Sequence, residues 1–132
     1  MRPLKIVMGE DEPSIYANGQ TGEIDFGGRI LTYFETLTDE YLVPFTKWLE
    51  EFSSQNISDT LTLNLRFTYF NTSAEKVLLF PVFKLLEEHK AQYNNVKVNW
   101  FYQTDDDGML DTGEIFQSIT ELDFTLIPVD SE

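Results

Sequence analysis

The chain has 132 residues, 42% of them hydrophobic, and carries 23 acidic against 9 basic side chains, for a net charge of −14. Its length allows one domain with a buried core, and 11 Phe, 6 Tyr and 2 Trp exclude a disordered chain. With no cysteine, disulfide frameworks, thiolate zinc sites, iron–sulfur clusters and cysteine nucleophiles fall away together, and the excess of acid argues against nucleic acid and anionic membranes as partners.

The first residues, Met1 to Gly9, hold too short an apolar stretch for a signal peptide, and no run approaches the roughly 20 apolar residues that cross a bilayer. A reducing cytoplasm is therefore the expected location, and the Asn-x-Ser/Thr patterns at Asn56 and Asn71 carry no glycosylation signal. The acidity itself serves solubility or a basic protein partner.

Pro13 to Leu31 reads as a β-hairpin: Ser14-Ile15-Tyr16-Ala17, an Asn18-Gly19 turn signal, then alternation from Gly22 to Phe26, with Gly27-Gly28 marking a bulge or second turn. From Thr38 to Phe52 the period changes, with Leu42, Phe45, Leu49 and Phe52 on one helix face. Thr38, Asp39 and Glu40 suit the amino end of that helix, and Pro44 either kinks it or starts its regular part. A polar loop over 53–59 precedes a clear strand in which Leu61, Leu63, Leu65, Phe67 and Tyr69 alternate with polar residues. A second helix is expected from Thr72 to Ala91, then a strand with Val96, Val98, Trp100 and Tyr102 on one face, an acidic loop at Asp105 to Asp107, a short helix near Met109 to Ile119 and a last strand from Phe124 to Val129.

Strands joined through helices pair in parallel, and alternating strands leave one sheet face wet. The expected fold is a two-layer α/β domain over 1–132, its sheet mixed and mostly parallel, its helices mainly on one face.

Little in the sequence suggests chemistry. His89, the lone histidine, sits near a helix end where it favours the dipole, and no nucleophile elbow, His-Glu-x-x-His or phosphate loop is present. No cofactor is implied. The segment from Gln103 to Glu114 approaches an EF-hand loop, with Asp105, Asp107, Gly108 and Glu114 at ligand or turn positions. Gln103 in the first position and a preceding strand count against it. A calcium-responsive domain is thus one alternative, and a constitutive scaffold or dimerising module another.

The most informative stretch is Leu65 to Lys76, where a strand runs directly into a helix. Thr72 followed by Glu75 fits a capping box. The helix beyond is apolar from Val77 to Phe83 with Pro81 inside, more than one buried face needs, which suggests a contact surface beside the Thr72 corner.

The run Tyr69-Phe70-Asn71-Thr72-Ser73 with Lys76, then Leu85 to His89, then Val98-Asn99-Trp100-Phe101-Tyr102 before an acidic loop with Met109 and Gly113-Glu114, resembles the SiaC family of bacterial biofilm-regulation phosphoproteins. The resemblance extends from Pro13 through Phe124 and includes Pro44 and Trp48. It implies a STAS-like fold, like that of anti-sigma-factor antagonists, and a switch protein rather than an enzyme. The phosphoacceptor of such a switch falls on Thr72, phosphorylated by a cognate protein kinase and restored by a metal-dependent phosphatase. The unphosphorylated form would bind an effector such as a diguanylate cyclase in cyclic-di-GMP signalling. Partner contacts would come from Tyr69, Asn71, Ser73, Lys76 and Phe80. Two departures stand out: Ala74 where a second serine is common, and Phe80-Pro81 in place of more polar residues.

Overall fold

The computed structural model describes residues 1–7, 9–31, 34–55, 60–90 and 95–130. Of the loop expected over 53–59, Ser53, Ser54 and Gln55 instead continue the first helix, whereas the rest of it, with Asn56, and Ala91 at the expected end of the second helix fall outside the described residues.

One six-stranded sheet carries the chain, its strands lying side by side in chain order. They are β1 (Leu4–Ile6), β2 (Ser14–Ala17), β3 (Glu23–Ile30), β4 (Thr60–Phe70), β5 (Asn95–Gln103) and β6 (Asp123–Val129). The first three pair antiparallel and β3 through β6 pair in parallel, so the mixed, mostly parallel sheet stands as the alternation implied. The turn between β2 and β3 is longer than the Asn-Gly signal suggests. Asn18 Oδ1 accepts from the amides of Gln20 and Thr21, and the positive φ falls on Gly22 rather than Gly19. The bulge expected at the glycine pair lies between Gly28 and Arg29. The short strand β1 was not legible beforehand.

Three helices connect the parallel strands and cover one face: α1 over 34–55, α2 over 72–89, and α3, Asp107–Ile119. The buried core lies between the layers, from Ile15, Ile24 and Phe26 through Leu61, Leu63 and Leu65 to Val98 and Trp100 on the sheet side. Phe45, Leu49, Phe52, Leu79, Phe83 and Phe116 meet them from the helices. No helix among the described residues is long and apolar enough to cross a membrane.

The helix starts differ from the sequence signals. Thr38, Asp39 and Glu40 do not begin α1; helical backbone starts at Phe34, because Leu37 and Tyr41 are buried and draw the earlier turn onto the sheet. The stretch Leu37–Leu42 is a π turn, with the Val43 amide reaching back five residues to the Thr38 carbonyl, and regular α-helix follows from Val43. The second helix repeats the device: Glu75–Leu79 is a π turn ahead of Pro81, with the Phe80 amide donating to the Glu75 carbonyl. A proline ring collides with the carbonyl four residues back in a regular α-helix, and one extra residue in the turn before it relieves that collision. The two π turns pack against each other.

The uncovered sheet face is polar and internally bonded. Asn64 is 4% exposed. Its amide donates to Glu23 Oε1 (3.0 Å) and Asp25 Oδ1 (3.2 Å), and its oxygen accepts from the Asn99 amide at 2.9 Å. Arg66 pairs with Asp25 at 2.7 Å and lies 4.2 Å from the Phe101 ring centroid.

Candidate functional site

Strand β4 ends at Phe70, which wedges edge-on against Phe67 and Trp100 with ring centroids 5.7 and 6.0 Å away. That anchor fixes where the chain must turn. Asn71 keeps extended backbone (φ −85°, ψ 172°) and Thr72 is the first helical residue. Asn71 Oδ1 accepts the Ala74 amide at 2.8 Å. The cap is therefore Asn71, and the capping box read at Thr72 and Glu75 is corrected. Asparagine and threonine both cap well, and the side chain at the last extended position takes the role.

The correction changes what Thr72 is free to do. Its side chain is exposed and its hydroxyl makes no hydrogen bond among the described residues. Ser73 and Lys76 are exposed beside it, and Tyr69 is exposed at the end of β4, with the Arg29 guanidinium 5.7 Å from its ring centroid. Phe80 is 40% exposed and rests its edge on Phe116 at 5.2 Å. The structure thus brings Tyr69, Thr72, Ser73, Lys76 and Phe80 to the surface, while Asn71 is half-buried and holds the helix end. Ala74 is fully buried, so the position where the family resemblance led one to look for a second serine faces the core.

Most of the apolar run has a structural reason. Helix α2 is the middle one of three, touching α1 through the π turns and α3 through Phe80 and Phe83 against Phe116. Leu78, Leu79, Val82, Phe83 and Leu86 are buried, and Phe80 is the large apolar residue of that run left exposed.

Beside the corner lies a cleft of about 270 Å³ between the amino ends of α2 and α3, lined by Tyr69, Phe70, Glu75, Asp106 and Thr112 among others. Asp106 caps α3, its Oδ1 accepting the Met109 amide at 3.0 Å, as the reading of the acidic loop as a helix start requires. From Asp107 onward the supposed calcium loop is helix, so Asp107, Gly108 and Glu114 cannot wrap around an ion, and the EF-hand alternative is withdrawn. Among the described residues no three His, Asp or Glu side chains converge. His89 Nδ1 lies 2.8 Å from the Leu85 carbonyl at the end of α2, in the structural role expected for it.

The reading of the sequence missed the outer face of α3, where Ile115 and Ile119 are 58% and 53% exposed. The signal was present: five apolar residues in that short helix, Met109, Leu110, Ile115, Phe116 and Ile119, exceed one buried stripe.

A mixed six-stranded sheet covered on one face by three helices places the chain among STAS-like two-layer α/β proteins. A model of the SiaC family regulatory phosphoproteins matches residues 6–129, and the chain belongs to that family. Its members are regulators rather than enzymes. A search of curated proteins finds no match to the chain. Among solved structures, apo-SiaC from Pseudomonas aeruginosa is 25% identical with a TM-score of 0.77, the match covering 96% of this chain and 99% of that one. A chain from the structure of the diguanylate cyclase SiaD in complex with its activator SiaC, from the same organism, has a TM-score of 0.78 at 23% identity, over 96% of this chain and 99% of that one. Another structure of SiaC of Pseudomonas aeruginosa gives 0.77 at 23%, over 98% and 100%. These last two likenesses bear on the fold.

Proposed function

We propose that this chain is a single-domain switch protein of the cytoplasm, phosphorylated at Thr72 by a cognate kinase and reset by a metal-dependent phosphatase. Its unphosphorylated form binds an effector, of which a diguanylate cyclase is the first candidate. The observation that carries this reading is the exposed Thr72 hydroxyl at the first helical position, without a hydrogen bond among the described residues, the cap being supplied by Asn71. Membership in a family of regulatory phosphoproteins supports it, and so does the naming of SiaC in the Pseudomonas complex as activator of a diguanylate cyclase. Tyr69, Ser73, Lys76 and Phe80 share the exposed surface around Thr72, so kinase, phosphatase and effector compete for it.

A phosphate at Thr72 adds roughly −1.5 to −2 charges at the amino end of a helix. Inside the domain that is acceptable, because the dipole and the first-turn amides receive anions there. At an interface it is costly, since a buried dianion without a cationic partner loses several kcal/mol of hydration. A loss of about 3 kcal/mol weakens binding more than a hundredfold.

The switch acts by blocking a surface, not by remodelling the domain. Calorimetry of Thr72→Ala and Thr72→Glu against the cyclase of the native host, with melting curves, is the test. Both variants should fold, the alanine form should bind as the unmodified protein does, and the glutamate form should bind poorly. Wild-type affinity in Thr72→Glu, or no phosphate at Thr72 in protein isolated from its host, removes the proposal and leaves a constitutive binding module.

A further inference from the structure

Helix α2 changes face partway along its length. In its regular part Val82, Phe83 and Leu86 are buried. At about 100° per residue, an unbroken α-helix would continue that stripe toward the amino end through Leu79, Glu75 and Thr72, which stand 7, 11 and 14 residues ahead of Leu86 and within about 40° of its direction. Ala74, 12 residues ahead, would point about 120° away from it.

The observed first turn is the reverse. Ala74 is 0% exposed, Glu75 is half-buried and Thr72 is exposed. The buried stripe runs from Leu86 through Val82 and Leu78 to Ala74, so it slips by one residue across Glu75–Leu79. That slip is the extra residue of the π turn, in which the Phe80 amide reaches five residues back to the Glu75 carbonyl. Pro81 follows directly. In an unbroken α-helix its ring would meet the Val77 carbonyl, and it has no amide hydrogen to offer that carbonyl. Leu78 and Leu79 are buried within the turn, which packs against the π turn of α1.

We propose that Pro81 is a positioning residue for the phosphoacceptor: by excluding the regular helix it locks the π turn, and the extra residue of that turn keeps Thr72 in water and Ala74 in the core. The inference rests on the proposed function for the use made of Thr72, and on helix geometry for the rest. Without the lock the chain samples a second register, in which Thr72 and Glu75 turn toward the sheet and Ala74 toward water. A kinase finds no acceptor there.

The chain has no cysteine, so a single introduced cysteine reports its own exposure through its rate of alkylation by iodoacetamide. In the full chain Thr72→Cys should label freely and Ala74→Cys slowly. Adding Pro81→Ala should raise the Ala74→Cys rate at least about tenfold and lower the Thr72→Cys rate about twofold, since each rate follows the fraction of chains in the reactive register. Loosening of the helix alone would speed both. Deleting Val77 as well removes the extra residue, so a regular helix again turns Ala74 inward and both rates should return to those of the parent chain. Deleting Lys76 instead shortens the turn equally and repeats the check. Each variant is labelled below its own melting transition.

An unchanged Ala74→Cys rate in Pro81→Ala, a faster Thr72→Cys rate, or a change that neither deletion reverses overturns the proposal. Alkylation needs no kinase, so the two readings fail separately. A chain that carries no phosphate in its host but exchanges the two rates as expected ends the switch and keeps the positioning. A chain phosphorylated at Thr72 whose labelling is indifferent to Pro81→Ala does the reverse.

Discussion

Asn71 and Thr72 are neighbours with interchangeable capping chemistry, and the backbone assigns them different work. Asn71 is extended and closes the helix end through its bond to the Ala74 amide, while Thr72 stands in the first turn with its hydroxyl in water. Asn71→Ala should therefore cost about 1 kcal/mol of stability, the usual loss for a capping side chain. Thr72→Ala should be neutral or gain a few tenths of a kcal/mol, since alanine is the better helix former. Urea unfolding of both variants checks this. A loss of a full cap's worth in Thr72→Ala would return the cap to threonine and tie the proposed phosphoacceptor to helix stability.

Among the elements, the π turn of α1 has a second task besides making room for Pro44. It carries Tyr41 inward, where the ring stacks 6.4 Å from Phe26 and the hydroxyl donates to the Pro13 carbonyl at 2.7 Å, tying helix to hairpin. Burial, then the charges of Glu12 and Glu40, hold the Tyr41 hydroxyl well above its ordinary value. The sign follows from which state keeps the proton. Above about pH 10 the unfolded chain loses this proton and the folded chain retains it, so the unfolded state binds fewer protons and stability falls as pH rises. Stability should be level with respect to this group below pH 10 and decline above it. Tyr41→Phe should flatten the decline while costing about 1 kcal/mol at neutral pH through the lost hydrogen bond. Denaturation midpoints from pH 8 to 11 measure both, and an equally steep decline in the phenylalanine variant would contradict the assignment.

At the scale of the whole molecule the net charge is −14, and ion pairs such as Arg29 with Asp11 and Arg66 with Asp25 are exposed. Exposed pairs contribute little, whereas self-repulsion acts on the compact state as a whole and is screened by salt. Raising sodium chloride from about 0.01 M, where the Debye length is ~30 Å, to about 0.15 M, where it is ~8 Å, should raise the melting temperature by several degrees. A melting temperature that falls over this range would mean that attractive pairs outweigh repulsion.

The sequence by itself determined the order and type of the long elements. Alternation from Leu61 to Tyr69 and from Val96 to Tyr102 can only be satisfied by strands with one buried face, and helices between parallel strands follow from the need to cross over. The sequence also singled out Thr72 as a candidate site, while the exposure of Tyr69, Thr72, Ser73, Lys76 and Phe80 and the capping role of Asn71 came from the fold. The tertiary structure decided what depends on neighbours distant in the chain. Strand β1, with three residues, exists through pairing with β2, and α1 begins early because the sheet buries Leu37 and Tyr41. Phe80 and Phe83 look alike in sequence, yet one is exposed and the other buried, because α2 lies between two helices and only packing selects which side of it remains in water.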